Sequence, residues 1–407
     1  MFSKIQILSK GDLDIFIGNV LSLAFVKTML LQFLHLLFGD NSSIAVFVYG
    51  AIFTYLSWGI VHFQILKIKN VSIWLALLSF FLINYAFTSS ALKEYYVSID
   101  MILTYLFYIP IAVFLIPLIK DVYKVLSQIS IFRIIVIIIA AYMIFARNYA
   151  SYEHETYMSF SYAVMPYVIL CFYEGCFRGK YFDYFAYALG VVVMAFYGAR
   201  TPLVSSLAAA ALMYIVYIRK GKNTISIILT YIILLAATSF FIIYGNVILE
   251  WIGRIGESID SYALSKLNRD VFLESSSRGI IYERAINLIK AQGIFPMGLF
   301  ADRYYLNVIY VHNIFLEILI NFGVLAGGIL SIFLLLGILR SIIVSKDENV
   351  KVFLIFSFFA IFARFIFSGT YLAEGMSFVY FAIIYKFSHL QNEYDGLCSD
   401  SYSIQER

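Results

Sequence analysis

Long apolar stretches, each closed by a short polar segment, set the rhythm of this chain from end to end. The stretches run to roughly 17 to 25 residues, the length a helix needs to cross about 30 Å of hydrocarbon at about 1.5 Å per residue. Stretches such as IIVIIIAAYMIFA are apolar on every side. A membrane-spanning strand would instead alternate polar and apolar residues over roughly ten positions. Because a helix satisfies its own backbone in hydrocarbon, the pattern predicts an all-α integral membrane protein. Twelve transmembrane helices are expected, over residues 13–38, 42–66, 71–91, 101–119, 132–146, 157–176, 184–197, 202–218, 224–244, 313–339, 350–368 and 375–387.

Composition agrees with the pattern and excludes a water-soluble globule. Of the 407 residues, 62% are hydrophobic, 18% aromatic and only 13% charged, and the mean hydropathy is +0.88. The first apolar run has no small-residue cleavage site behind it and is long enough to span, so it reads as an anchor. Cys171 and Cys176 fall near the inner end of the sixth helix and Cys398 in the tail, where no oxidising compartment favours a disulfide. All three read as structural.

The distribution of charge sets the orientation, since lysine and arginine resist translocation. Basic residues gather in alternate connections: Lys67 and Lys69, Lys120 and Lys124, Arg178 and Lys180, Arg219 and Lys220, Arg340 and Lys346. The short loops on the other side hold only Lys93, Arg147 and Arg200. Both termini are therefore expected inside. The chain then divides into helices one to nine (1–244), an outer loop (245–311), helices ten to twelve (312–387) and a cytoplasmic tail (388–407). The net charge of +4 follows from the basic inner loops, and no interleaved basic and aromatic surface suggests nucleic acid.

Candidate chemistry lies on the outer side, where a loop far longer than usual interrupts a tightly connected bundle. Within it Ile281, Ala285, Leu288 and Ile289 recur at helical spacing, while Arg284, Asn287 and Lys290 mark a polar side. The expectation is an amphipathic helix along the membrane surface. Ser275 to Ser277 are placed to cap it, and Arg278 falls in its first turn, where free N–H groups favour an anion. Arg200 lies in a turn between the seventh and eighth helices, and reads either as an anion ligand or as a snorkelling surface residue. Arg364 lies inside the eleventh helix near its outer end. It reads either as functional, as intramembrane arginines are by default, or as half of a salt bridge to Glu374. His312, followed by Asn313, opens the tenth helix as either a proton acceptor or an interfacial anchor. Glu153, His154 and Glu155 form a second outer polar cluster, a candidate for binding sugar or supplying an alternative base. No paired acidic motif accompanies the arginines in sequence, so neither metal nor cofactor is expected.

The stretch His312, Asn313, nine residues, then Gly323, Ala326, Gly327 and Gly328 resembles the histidine motif of the family uniting O-antigen polymerases and O-antigen ligases. SSSRGIIYERAINLIKAQGIFPMG is similar to the segment that family carries upstream, an arginine followed after three residues by a tryptophan, here Tyr282, then a helix and a proline-glycine turn. GARTPLV resembles its earlier arginine-containing turn. The likeness in order and spacing covers residues 198–328. Ala326 stands where a ligase more often has glycine, threonine or tyrosine, which disfavours a ligase.

The resemblance implies a helical glycosyltransferase bundle of the GT-C type with a large periplasmic loop, in a bacterial inner membrane. It implies a donor glycan carried on undecaprenyl diphosphate and an active site on the periplasmic side. His312 and Arg278 are the catalytic candidates, and Arg200, Arg278, Arg284 and Arg364 the candidates for binding diphosphate. Asn313 joins Glu153, His154 and Glu155 as a candidate sugar ligand. The expected reaction is metal-independent and inverting, performed by a polymerase of O-antigen or a related surface polysaccharide. Expected partners are membrane lipid and the chain-length regulator and flippase of the same pathway. A ligase would pass the same donor to lipid A core. A flippase is the rival from another class, although it needs no large outer loop and would place its charges near the midplane of two repeat halves.

Overall fold

A computed structural model describes residues 10–38, 42–146, 156–197, 200–220 and 277–403, with Val247, Trp251 and Arg254 described singly. The described chain is helical apart from its connecting turns and contains no strand. Among the described residues nine helices are long and apolar enough to cross a membrane, not twelve. The helix expected over 224–244 lies outside the described residues, as does much of the loop that follows it. Tyr181–Phe196 is apolar but shorter. The last helix, Met376–Ser403, runs through its apolar part into the polar tail.

Packing groups the chain into two units, neither of them continuous in sequence. The first comprises residues 1–55 and 123–276, the second residues 56–122 and 277–407.

In the first unit the helix Thr156–Arg178 is the hub, packed by Lys10–Phe38, Arg133–Ala146, Tyr181–Phe196 and Arg200–Lys220. Its residues from Val164 to Cys171 are almost wholly buried. Gly190 permits the close approach of Tyr181–Phe196, because a Cβ there would lie 2.5 Å from a Val168 methyl. One end of the hub carries a buried ionic network. Arg133 grips Asp183 through two hydrogen bonds of 2.6 and 2.9 Å. Glu174 accepts from Ser130 at 2.7 Å and pairs with Arg178 at 3.1 Å and Lys180 at 2.8 Å. Charges this deep are tolerable only when paired, which accounts for three cations gathering around two carboxylates.

In the second unit Ile68–Phe87 fully buries only Phe81 and leaves more than half of its apolar side chains exposed, as a helix with a lipid-facing side would. The next span, Ile99–Leu118, is locally widened into π turns at Thr104–Tyr108 and Ile111–Leu115, on either side of Pro110. A proline has no N–H to donate, so the carbonyl about one turn before it loses its helical partner. At the far end of the span, where the last carbonyls have no helical donors, the Lys386 ammonium donates to those of Ile116 and Pro117 at 3.3 and 3.1 Å, and to that of Ile119.

The apolar run over Ile314–Val344 reads as one long helix in sequence and is two in space. Gly323 interrupts it with φ +79° and ψ +166°, leaving a short segment 314–322 and a long one 324–344. A Cβ on Gly327 would lie 2.8 Å from the Ile318 carbonyl oxygen and 3.0 Å from the Leu319 Cα. Residues nine apart in a straight helix are separated by about 13.5 Å, so the short segment is folded back against the start of the long one. Only the long segment has the length to cross a membrane.

Candidate functional site

The short segment 314–322 is held at both ends. At its start the Asn313 side chain accepts from the N–H groups of Phe315 at 3.0 Å and Leu316 at 3.2 Å, an N-cap of the usual kind. At its end the break at Gly323 leaves carbonyls without helical partners. The Gln292 amide donates to the Ile320 carbonyl at 3.1 Å, the Met297 N–H to the same oxygen at 3.3 Å, and the Gly298 N–H to the Asn321 carbonyl at 3.2 Å. A side chain on Gly323 would run into the carbonyls of Ile294 and Phe295. The glycines after the histidine thus have a local physical reason: one supplies the reversed backbone, and another lets the two segments touch.

The expected amphipathic helix is present as Ser277–Gln292. Ala285 is buried in a cluster with Ala301, Leu306, Val311 and Ile320, against which Ile281, Tyr282, Leu288 and Ile289 pack. Arg284, Asn287 and Lys290 are exposed. Its apolar face therefore covers the short segment and the turn of helix Ala301–Leu306 that precedes it. Ser275 and Ser276 lie outside the described residues.

These contacts bring Arg278, Tyr282 and His312 together. Tyr282 follows Arg278 by one helical turn, and its hydroxyl donates to the His312 carbonyl at 3.3 Å. His312 takes a left-handed backbone, φ +62°, on the threshold of the short segment, with its ring 4.3 Å from that of Tyr310. Burial and the positive charge of Arg278 push the imidazole down to about 4, the backbone of Ser368 acting the other way. The ring is therefore neutral at pH 7. Its Nδ1 is buried and meets no hydrogen-bonding partner among the described residues. Asn313 also donates to the Ile366 carbonyl at 3.5 Å, tying this corner to the helix that carries Arg364.

Other expected residues are placed differently. Arg364 pairs with Glu374 at 2.9 Å, both side chains partly exposed. Arg284 stands six positions beyond Arg278, about 240° around the helix, and faces away from His312. Arg200 belongs to the first unit, where it is the first residue of the helix Arg200–Lys220 and not part of a turn. Glu153, His154 and Glu155 lie outside the described residues.

Sequence reading missed a second polar group behind the histidine. Glu317 is buried in the short segment, accepting from the Thr370 hydroxyl at 2.5 Å and the Tyr371 N–H at 3.3 Å. Asn321, one turn further, donates to the Tyr371 hydroxyl at 3.1 Å. Asp302 is wholly buried and close enough to Glu317 for each to feel the other's charge. Burial pushes the Asp302 carboxyl up to about 6, against the opposing influence of the nearby Arg303 guanidinium and of backbone N–H groups. Arg303 itself lies over the rings of Tyr95 and Phe300, at 4.9 and 4.7 Å. The fold has thus paired two carboxylates fifteen positions apart in sequence. No group of three or more potential metal ligands of the His, Cys, Asp or Glu type occurs among the described residues. The missed signal was Glu317 itself, an acid in a run of mean hydropathy 2.5.

Backbone strain concentrates in this region. Among the described residues four non-glycine positions take a left-handed backbone, and Phe300, Asn307 and His312 are three of them. Such conformations cost about 1–3 kcal/mol each and persist where surrounding contacts enforce them, often at sites of function. Comparison with known protein families, with curated proteins and with solved structures finds no match to this chain.

Proposed function

We propose that this chain is a polysaccharide polymerase of the O-antigen type. It transfers a growing glycan from undecaprenyl diphosphate to the sugar of a newly exported lipid-linked repeat unit, at the outer face of a bacterial inner membrane. The observation that supports this most is the convergence of Arg278 and a neutral His312, joined through Tyr282.

Transfer to a sugar hydroxyl needs a proton acceptor on one side of the anomeric carbon and charge stabilisation on the other. In this reading the acceptor hydroxyl oxygen forms a bond to the anomeric carbon while the bond to the diphosphate oxygen breaks. The electron pair leaves with undecaprenyl diphosphate, and the hydroxyl proton passes to the neutral imidazole of His312. Arg278 binds the departing diphosphate through charge-assisted hydrogen bonds, which its planar fork suits better than an ammonium does. Direct displacement inverts the anomeric carbon and requires neither metal nor cofactor. An anionic diphosphate beside Arg278 would also offset the charge that depresses the imidazole, bringing its basicity closer to the range useful near neutral pH.

The test is transfer by purified protein given lipid-linked repeat units, with His312→Tyr beside the wild type. An interfacial anchor tolerates tyrosine, whereas removing a general base typically costs about 10²- to 10⁴-fold. Full activity in the variant would leave the histidine an anchor. Gene loss separates the rival functions on a gel of lipopolysaccharide: core plus one repeat unit supports a polymerase. Core alone with accumulated lipid-linked polymer means a ligase, and core alone with repeat units trapped inside means a flippase.

A further inference from the structure

We propose that Asp302, Glu317, Asn321 and Tyr371 form an oxygen-lined site for one monovalent metal cation of about the size of sodium, independent of the transfer chemistry. Two hydrogen bonds and two electrostatic influences place these side chains together in the second unit. Glu317 accepts from the Tyr371 N–H, Asn321 donates to the Tyr371 hydroxyl, and Asp302 acts electrostatically on both Glu317 and Tyr371. All four are buried.

The group has more acceptors than donors. Glu317 has a partner for each oxygen, in Thr370 and the Tyr371 N–H. Neither oxygen of Asp302 reaches a hydrogen-bond donor among the described residues, although the N–H groups of Arg303 and Val311 approach it. The carbonyl oxygen of Asn321 is likewise buried without a partner, its amide nitrogen being turned to Tyr371. Unsatisfied oxygens of this kind are costly in a dry interior unless something positive sits among them. Charge works in the same direction once an ion is present. Burial opposes ionisation of both carboxyls, and the only guanidinium acting on the two is that of Arg303. With both carboxyls ionised, one monovalent ion completes the balance, whereas a divalent ion overshoots it. The donor set contains only oxygen, the choice of a hard cation over a thiophilic or imidazole-seeking one.

The site sits on the short segment 314–322, so an ion there would tie Asp302 to the element that carries Asn313 and follows His312. The experiment is thermal unfolding of the purified full-length protein at constant ionic strength, in sodium, potassium or choline chloride. Sodium is expected to raise the midpoint by several degrees over choline in a saturable way, with potassium weaker. Asp302→Asn is expected to remove the dependence. Should that variant fail to accumulate, Glu317→Gln serves the same purpose, and sodium-23 relaxation on the wild type reads binding without any variant. Equal midpoints in all three salts would overturn the proposal, meaning that a proton or an inverted Asn321 amide satisfies the carboxylates. Stabilisation by calcium or magnesium that a chelator reverses would overturn it as well, and so would a sodium effect that survives in Asp302→Asn.

Discussion

The Tyr282 hydroxyl and the His312 carbonyl, thirty residues apart, are joined by a hydrogen bond of 3.3 Å. It links the helix bearing Arg278 to the residue whose backbone turns into the short segment. Tyr282→Phe removes the donor and keeps the ring. The net worth of such a bond is about 0.5–1.5 kcal/mol, so if the bond orients His312 the transfer rate should fall by roughly two- to tenfold. Initial rates at saturating donor check this. An unchanged rate would mean that His312 is held by Tyr310 and its own backbone alone.

Gly323→Ala should be among the most damaging small substitutions in the chain. The left-handed backbone alone costs an alanine about 1–3 kcal/mol, and the new methyl meets the Ile294 and Phe295 carbonyls. Gly328→Ala is the control, since nothing lies within 4 Å of its Cβ position. Thermal unfolding in detergent should show a large drop for the first and little for the second. Equal midpoints would contradict the reversal at Gly323.

His312 is expected to titrate near pH 4, and Arg278→Ala should move that titration up toward the ordinary value of about 6.5. Because the folded value lies below the unfolded one, this group weakens folding as pH falls through 6.5 toward 4. Above 6.5 its effect on stability is constant. Ring-labelled histidine followed by NMR reports the shift without relying on activity. The chain has five histidines, and His312→Gln assigns the signal. A titration unmoved by loss of Arg278 would separate the two residues.

The Arg364–Glu374 pair distinguishes two roles for the arginine. If its only task is to neutralise Glu374, then Arg364→Ala should harm the protein and the double variant Arg364→Ala, Glu374→Ala should recover most activity, since no unpaired charge remains. Should Arg364 also bind diphosphate, the double variant should fold normally and still be slow, with a raised KM for donor. Thermal unfolding and donor titration together decide between the two.

Much of the helical layout was legible because hydrocarbon imposes one length and one composition on every span. Apart from 313–339, which is broken at Gly323, each expected helix that falls on described residues coincides with an observed helical stretch, to within a few positions at most ends. Hydropathy cannot register a reversal inside an apolar run, so the break at Gly323 was invisible although the glycine itself was singled out. The amphipathic helix was legible through its spacing, and so was the face it buries. The pairing of Asp302 with Glu317 was not, since it depends on that reversal bringing the short segment under Ala301–Leu306. Proximity in sequence also says little about which helix face a residue occupies: Arg284, six positions after Arg278, is turned about 240° from it and is exposed.

The hydrogen bonds that end the short segment also order events during synthesis. Gln292, Met297 and Gly298 leave the ribosome before Ile320 and Asn321, the residues whose carbonyls they bind. Every group that donates, among the described residues, to the carbonyls at the Gly323 end of the short segment is therefore already synthesised when that segment emerges, so this end can close without any later part of the chain.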